Sequence, residues 1–126
     1  MNATQIIFDR VKAGELFTTG SRVWELHHEG SDWDFFCNPE TFLDLKKELS
    51  SIADLEQSEY YEGVKFRDGD YIINFSPVPE KEINQWKIAT CMFNSSQLQT
   101  FLRGKDKAAR ISLFQSLRTM LLLAGA

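Results

Sequence analysis

Two aspartates, Asp32 and Asp34, lie between large apolar residues in the stretch "SDWDFF". Residues i and i+2 of a β-strand point to the same face, so their Cα atoms would lie roughly 7 Å apart, twice a strand rise of about 3.3 Å. Both carboxylates can then ligate one cation. Because magnesium binds through one or two carboxylates together with substrate phosphates, the pair predicts a Mg²⁺ site that receives a nucleoside triphosphate.

The dipeptide Gly20-Ser21 precedes this pair by about ten residues. A glycine that follows a strand lets the backbone approach a phosphate, and a helical turn that begins at Ser21 would direct free N–H groups at the anion. Arg22 would add a positive charge. We therefore predict that Gly20, Ser21 and Arg22 bind the nucleotide.

Simpler interpretations of the same residues stay open. Asp32 and Asp34 can instead cap the following turn or pair with Arg22 at the surface. A second D-x-D, Asp68 and Asp70, is explained by turn chemistry alone, so the motif by itself proves little.

Other polar residues have competing explanations as well. His27-His28 resembles half of a zinc site, but no second Cys/His cluster accompanies it in the sequence, which favours a polar loop. The basic residues of the last third can reach a triphosphate or a polynucleotide, although a solvated helix face explains them more simply. These residues are Lys87, Lys105, Lys107 and Arg110.

The elements that must position these residues are predicted from periodicity, caps and turn signals. In chain order they are a helix at 4–13 capped by Thr4, the strand "LFTTG", a helical turn at 21–28 closed by Gly30, the central buried strand "SDWDFFCN", a helix from the cap Asn38 to Ile52, a hairpin at 60–78 around Asp68-Gly69, and helical segments from Glu80 and from Lys105. Three sets of apolar residues at helical spacing should face the core: Phe42, Leu45, Leu49 and Ile52; Ile83, Trp86, Thr90 and Phe93; Ile111, Phe114, Leu117 and Leu121.

This order predicts an α/β (α+β) fold, in which a small mixed β-sheet is covered by helices mainly on one side. The length of 126 residues favours a single domain over 1–126.

Composition narrows the function classes. The net charge of −4 argues against general duplex DNA binding, which needs a basic surface. Cys37 and Cys91 lack C-x-x-C spacing and are expected to be reduced core residues, as in a cytoplasmic protein. The sequence starts without a signal-peptide pattern, and its longest apolar run is too short for a membrane span, so we expect no membrane partner.

Taken together, the strand, the Gly-Ser turn and the Asp-hydrophobic-Asp-hydrophobic strand resemble the polymerase-beta-like nucleotidyltransferase superfamily. Gly20, Ser21, Asp32 and Asp34 match its motif, and the resemblance runs from about residue 15 to 94. The segment "YIINFSPVPEKEINQWKIAT" is similar to small phage-encoded members. The resemblance implies a nucleotidyltransferase-like fold in which the aspartates hold Mg²⁺ and the Gly-Ser turn holds the phosphates.

The third catalytic position departs from that pattern. The family places a carboxylate between apolar residues of the hairpin strand, where this chain has Ile73-Asn74-Phe75. By the resemblance Asn74 is a catalytic-site residue. Its amide oxygen can ligate magnesium, but the side chain cannot act as a base.

Two functions fit these residues. The first is magnesium-dependent transfer of a nucleoside monophosphate from a nucleoside triphosphate to a hydroxyl acceptor on a host protein, an RNA or a small molecule. The second is a catalytically degenerate member that acts as a phage-encoded binding protein or inhibitor of a host enzyme, which Asn74 favours. Both would act in the host cytoplasm.

Overall fold

The chain folds into helices on both faces of one β-sheet. We describe it from a computed structural model that covers residues 2–58 and 62–125. The elements within those residues are α1 (Ala3–Lys12), β1 (Phe17–Thr19), β2 (Trp33–Cys37), α2 (Pro39–Leu49), β3 (Glu56–Gln57), β4 (Val64–Asp68), β5 (Tyr71–Pro77), a 3₁₀ turn (Glu80–Glu82), α3 (Ile83–Phe93), α4 (Ser96–Leu102) and α5 (Lys107–Leu123). None of these helices combines the length with the apolar character that a membrane crossing requires.

The sheet is mixed, with the strand order β1-β2-β5-β4-β3. β2 and β5 run parallel, whereas the other neighbouring strands are antiparallel. The predicted α+β class with a small mixed sheet is therefore confirmed. The central position belongs to β5 rather than to β2, which lies between β5 and the edge strand β1.

Helices cover both faces of the sheet, so the prediction of a mainly one-sided cover was wrong. On one face α1 and α2 pack against β2 residues such as Phe35 and Cys37; on the other, α3, α4 and α5 pack against Phe36. The reason lies in the run "FFC", which places buried side chains on both sides of β2. A continuous apolar run is typical of a strand that is buried on both faces.

Helix ends agree with the capping signals in part. Asn38 caps α2 as predicted, because its side chain accepts a hydrogen bond of 2.8 Å from the backbone N–H of Thr41. α1 is capped by Asn2 rather than by Thr4, whose hydroxyl donates instead to the Asp68 carboxylate of the hairpin turn. α2 ends at Leu49, so Ile52 lies beyond the helix and is 51% exposed, contrary to the predicted core position.

The hairpin and the C-terminal helices form close to where the sequence places them. Asp68 pairs with Tyr71 across the turn, and Gly69 takes a positive φ of 60°. Tyr60 and Tyr61, at the predicted start of this hairpin, lie outside the described residues. Residues on the predicted apolar faces of α3 and α5 pack in one core cluster, in which Phe114 of α5 is fully buried. Cys91 is exposed on α3, contrary to the predicted core position.

Candidate functional site

A row of polar side chains crosses four strands on the sheet face that α3 and α5 cover. Strand register aligns Thr19 with Asp34, Asp34 with Asn74, and Asn74 with Lys65. Aligned residues of neighbouring strands point to the same face. The structure thus places Asn74 beside the aspartate with which the sequence associates it.

The amide of Asn74 joins the two aspartates. Its Nδ2 donates to Oδ2 of Asp32 in a short hydrogen bond and to Oδ1 of Asp34 at 3.3 Å. Asp32 precedes the first residue of β2 by one position, so the predicted strand begins later than expected. Its carboxylate nevertheless reaches the same amide, and the three side chains converge.

The surroundings of Asp34 disfavour the charged form of its carboxyl group. Burial is the main cause that raises the pKa of its carboxyl from 3.8 to about 6, and the negative charge of Asp32 raises it further. The positive charge of Lys107 and the hydrogen bond from Asn74 act in the opposite direction without cancelling this rise. Two close carboxylates in a partly desolvated place attract a cation.

Gly20 packs directly against Asp34. The residue ends β1 with a positive φ of 86°, a conformation that favours glycine. A Cβ at this position would overlap the Asp34 carboxylate, and Cβ of Asp34 itself would lie 2.9 Å away. The glycine therefore brings the Gly20-Ser21 backbone into contact with the aspartate, which is the proximity that the sequence predicted.

A short hydrogen-bonded turn follows Gly20 in place of the longer helical turn predicted to His28. The N–H of Val23 donates to the Gly20 carbonyl at 3.0 Å, and the N–H of Leu26 donates to the Ser21 carbonyl at 2.9 Å. Glu25 then takes a positive φ of 57°, which interrupts any helix. Ser21 thus begins one turn only.

These residues line a cavity of about 300 Å³. Its polar wall contains Gly20, Ser21, Asp32, Asp34 and Asn74, and its apolar wall contains Trp24, Trp86, Ile111 and Phe114. This size and this mixture of an apolar wall with a few convergent polar groups are usual for small-molecule sites. The cavity can accept a ligand with a planar apolar part and a charged part.

Arg22 does not join the residues of this cavity. Its guanidinium donates to the Ser31 carbonyl at 2.9 Å and lies over the Trp33 ring, 4.7 Å from the centroid. Both contacts stabilise the loop that leads into β2. Arg22 therefore lies outside the cavity in which the sequence predicts that it contacts the nucleotide.

Three cations line the cavity instead: Lys65, Lys107 and Arg110. Lys65 was predictable, because the two-residue turn that pairs Asp68 with Tyr71 also sets Lys65 opposite Asn74. The cap at Asp106 starts α5 and so places Lys107 and Arg110 in its first turn. No local sequence pattern predicts that the first turn of α5 lies beside the sheet.

Other candidate residues keep local roles. Lys87 lies over the Phe17 ring at 4.0 Å, and Lys105 lies over the Phe101 ring at 4.6 Å. His28 borders the cavity, but its Nδ1 is 2.7 Å from the Glu29 carbonyl oxygen in the same loop. In residues 2–58 and 62–125, no group of three or more His, Cys, Asp or Glu side chains is placed to hold a metal ion.

The predicted magnesium site would therefore need another oxygen ligand besides the two aspartates. Asn74 is buried, and its Oδ1 has no hydrogen-bond partner in the part of the chain that the structure describes. Rotating the amide by 180° exchanges its nitrogen and oxygen, so that the oxygen faces the carboxylates. Two carboxylates and one amide oxygen, with the remaining positions left for phosphates and water, fit the ligand preference of magnesium.

Comparisons of this chain with protein-family models, with curated proteins and with solved structures found no match.

Proposed function

We propose that this protein is a nucleotidyltransferase-like enzyme, which transfers a nucleoside monophosphate from a nucleoside triphosphate to a hydroxyl of a protein or an RNA in the cytoplasm of a host cell. The observation that carries the proposal is the convergence of Asp32, Asp34 and Asn74 in one cavity, with Gly20-Ser21 in contact with Asp34. Carboxylates beside a glycine-containing turn suit a phosphate that arrives with magnesium.

The residues divide the work of this transfer. Asp32, Asp34 and Asn74 would hold Mg²⁺, which when bound neutralises phosphate charge and makes the acceptor hydroxyl more acidic. Gly20 and Ser21 would hold the phosphates, and the apolar wall would receive the base. The acceptor oxygen then bonds to the α-phosphorus, the bond from that phosphorus to the β-bridging oxygen breaks, pyrophosphate leaves, and the hydroxyl proton passes to water.

Positioning and charge account for most of the rate in such a reaction, because the loose transition state needs little covalent help from the protein. Asn74 cannot take the proton of the acceptor. We therefore expect slow transfer that depends on both aspartates.

A second candidate function is favoured by the hydrogen bonds of Asn74. Its NH₂ group bridges both carboxylates, and this interaction partly compensates their charge without a metal. A fold held in this way would serve as a catalytically degenerate module, such as a phage-encoded inhibitor of a host enzyme. This candidate predicts a protein complex and no transfer of nucleotide.

Nucleoside triphosphates labelled separately at the α- and γ-phosphates test the proposal. The protein is incubated with each label, magnesium and a bacterial lysate, alongside a variant with Asp32→Asn and Asp34→Asn. Nucleotidyl transfer puts the α-label, but not the γ-label, on an acceptor, and the double variant does not. The second function would be favoured if the wild type labels no acceptor, and if the wild type and the double variant bind the same lysate protein equally well.

A further inference from the structure

The first turn of α5 brings two cations to the cavity from outside the segment that resembles the nucleotidyltransferases. Lys107 and Arg110 both line the cavity. Their direction is set by Phe114, which follows Arg110 by one turn and packs against Trp24 and Trp86 at ring-centroid distances of 5.5 and 5.1 Å. The core contact of α5 thus holds its basic turn against the cavity.

Arg110 has an uncommitted guanidinium. The side chain is partly buried, yet it makes no hydrogen bond or ion pair with any residue in 2–58 or 62–125. A guanidinium has five N–H donors in a planar arrangement that matches the oxygens of phosphate groups. A group of this kind at a cavity wall points to an anionic ligand.

The opposite wall offers a hydrogen-bond acceptor rather than a donor. Asn74 is 9% exposed, and its Oδ1 lacks a partner within the described chain. Lys107 lines the same cavity as Asp34, so the basic turn and the carboxylates border one space. A guanidinium without a described partner therefore borders the cavity from α5, and a buried amide borders it from the sheet.

The charges of the cavity complement a polyphosphate. Lys65, Lys107 and Arg110 outnumber Asp32 and Asp34 among the lining side chains by three to two. The aspartates need a metal before they accept an anion, whereas a guanidinium binds phosphate oxygens directly and in pairs. The cavity thus offers two kinds of group for contact with phosphate, one that requires a metal and one that does not.

We propose that Arg110, assisted by Lys107, forms a phosphate subsite that binds the terminal phosphates of the substrate without metal, and thereby selects triphosphates over shorter phosphates. This subsite rests on the proposed nucleotide site but does not require that the protein transfers nucleotides. It makes a helix outside the sheet responsible for the choice of substrate.

Binding of inorganic tripolyphosphate, pyrophosphate and orthophosphate, measured by calorimetry in the presence of EDTA, tests the subsite directly. The wild type should bind tripolyphosphate more tightly than the two shorter anions. Arg110→Gln should weaken tripolyphosphate binding roughly tenfold to a hundredfold, the usual loss for hydrogen bonds to a charged group, and Arg110→Lys should weaken it less. Arg103→Gln, an exposed cation that does not line the cavity, is the matched control and should bind as the wild type does.

Asp34→Asn separates this subsite from the metal site. Removing the negative charge should strengthen tripolyphosphate binding in EDTA, whereas it should weaken magnesium-dependent binding of a nucleoside triphosphate. Equal affinities of Arg110→Gln and Arg103→Gln, or no binding of tripolyphosphate by the wild type, would overturn the subsite. Binding that depends on Arg110 in a protein that transfers no nucleotide would uphold the subsite and refute the proposed enzyme.

Discussion

The two faces of the sheet differ in the polarity of their buried side chains. On the face that α1 and α2 cover, the inner positions Phe35, Ile73 and Phe75 are apolar and buried. On the other face, the neighbouring positions Asp34 and Asn74 interrupt an aromatic core with a polar row. Strand alternation makes both surfaces from the same two strands.

The apolar face contains residues that stabilise the fold, whereas the polar face contains residues that lower the stability of the ligand-free protein. A buried aromatic side chain contributes through the apolar surface that it removes from water. A carboxyl whose pKa is raised to about 6, and an amide oxygen without a described partner, both cost free energy in the empty protein. Groups of the second kind are expected where a ligand repays that cost on binding.

The largest effect should follow from Asn74→Asp, which changes the chemistry of the polar face. If the wild type transfers nucleotides slowly, a third carboxylate beside Asp32 and Asp34 should raise the rate by roughly 10²–10⁴, the usual contribution of one general base. Single-turnover transfer measurements at saturating magnesium test this. An efficient wild type that gains nothing from the aspartate would show that Asn74 is not a lost catalytic position.

Phe75→Ala should produce the next largest effect, on the apolar face. The Phe75 ring is fully buried and packs against Phe42 at a centroid distance of 5.5 Å. Its removal should lower the free energy of unfolding by about 3–5 kcal/mol, measured by urea denaturation. Phe75→Leu should cost less and keep the protein folded. A cost below about 1 kcal/mol for the alanine variant would contradict the assignment of this face as the stabilising one.

Asp34→Asn should stabilise the metal-free protein in a pH-dependent manner. The folded pKa of about 6 exceeds the ordinary 3.8, so the wild type loses stability as the pH rises from about 4 through 6 and retains the penalty above that range. The shift sets an upper limit of about 3 kcal/mol, and contact of the carboxyl with the cavity reduces the expected gain to about 1–2 kcal/mol at pH 7.

Urea denaturation of this variant in EDTA at pH 4 and pH 7 checks the sign. The stability difference from the wild type should be close to zero at pH 4 and appear at pH 7. Asp44→Asn, at an exposed site on α2, is the matched control and should show no such change. A variant that is less stable than the wild type at pH 7 would show that the Asp34 charge supports the fold.

A smaller effect should separate two glycines with positive φ. Gly14 and Gly20 have φ values of 75° and 86°, but a Cβ at Gly14 would meet open space, whereas a Cβ at Gly20 would meet Asp34. Gly14→Ala should cost about 1 kcal/mol from backbone strain, whereas Gly20→Ala should cost more because its Cβ would also displace the Asp34 side chain. Only Gly20→Ala should also weaken magnesium-dependent nucleotide binding. Equal binding by both variants would remove Gly20 from the site.

Local patterns predicted the parts of this site that are close along strands. The cap Asn38 and the turn at Gly69 follow from short-range geometry, whereas the alignment of Asp34 with Asn74 comes from the parallel pairing of β2 with β5. The sequence also contained the position of Lys65, because the hairpin turn fixes its register against Asn74.

Tertiary contacts decided the rest. The stacking of Arg22 on Trp33 withdraws its charge from the cavity, and the packing of Phe114 delivers the charge of Arg110 to it. Neither contact has a signature in residue spacing, since the partners are chosen by packing between surfaces. The two-sided helix cover was missed for a similar reason, because periodicity gives the apolar face of a helix but not the sheet face that it covers.

Magnesium-dependent nucleotide binding is the most direct test of the central claim that Asp32 and Asp34 form the metal site of this cavity. Nucleoside triphosphates are titrated into the wild type and into a variant with Asp32→Ala and Asp34→Ala, with and without magnesium, after circular dichroism has shown that both are folded. The wild type should bind more tightly with magnesium, and the double variant should lose that dependence while keeping its fold. An unchanged magnesium-dependent titration in the folded double variant would contradict the claim, and a double variant that fails to fold would assign the aspartates a structural role instead.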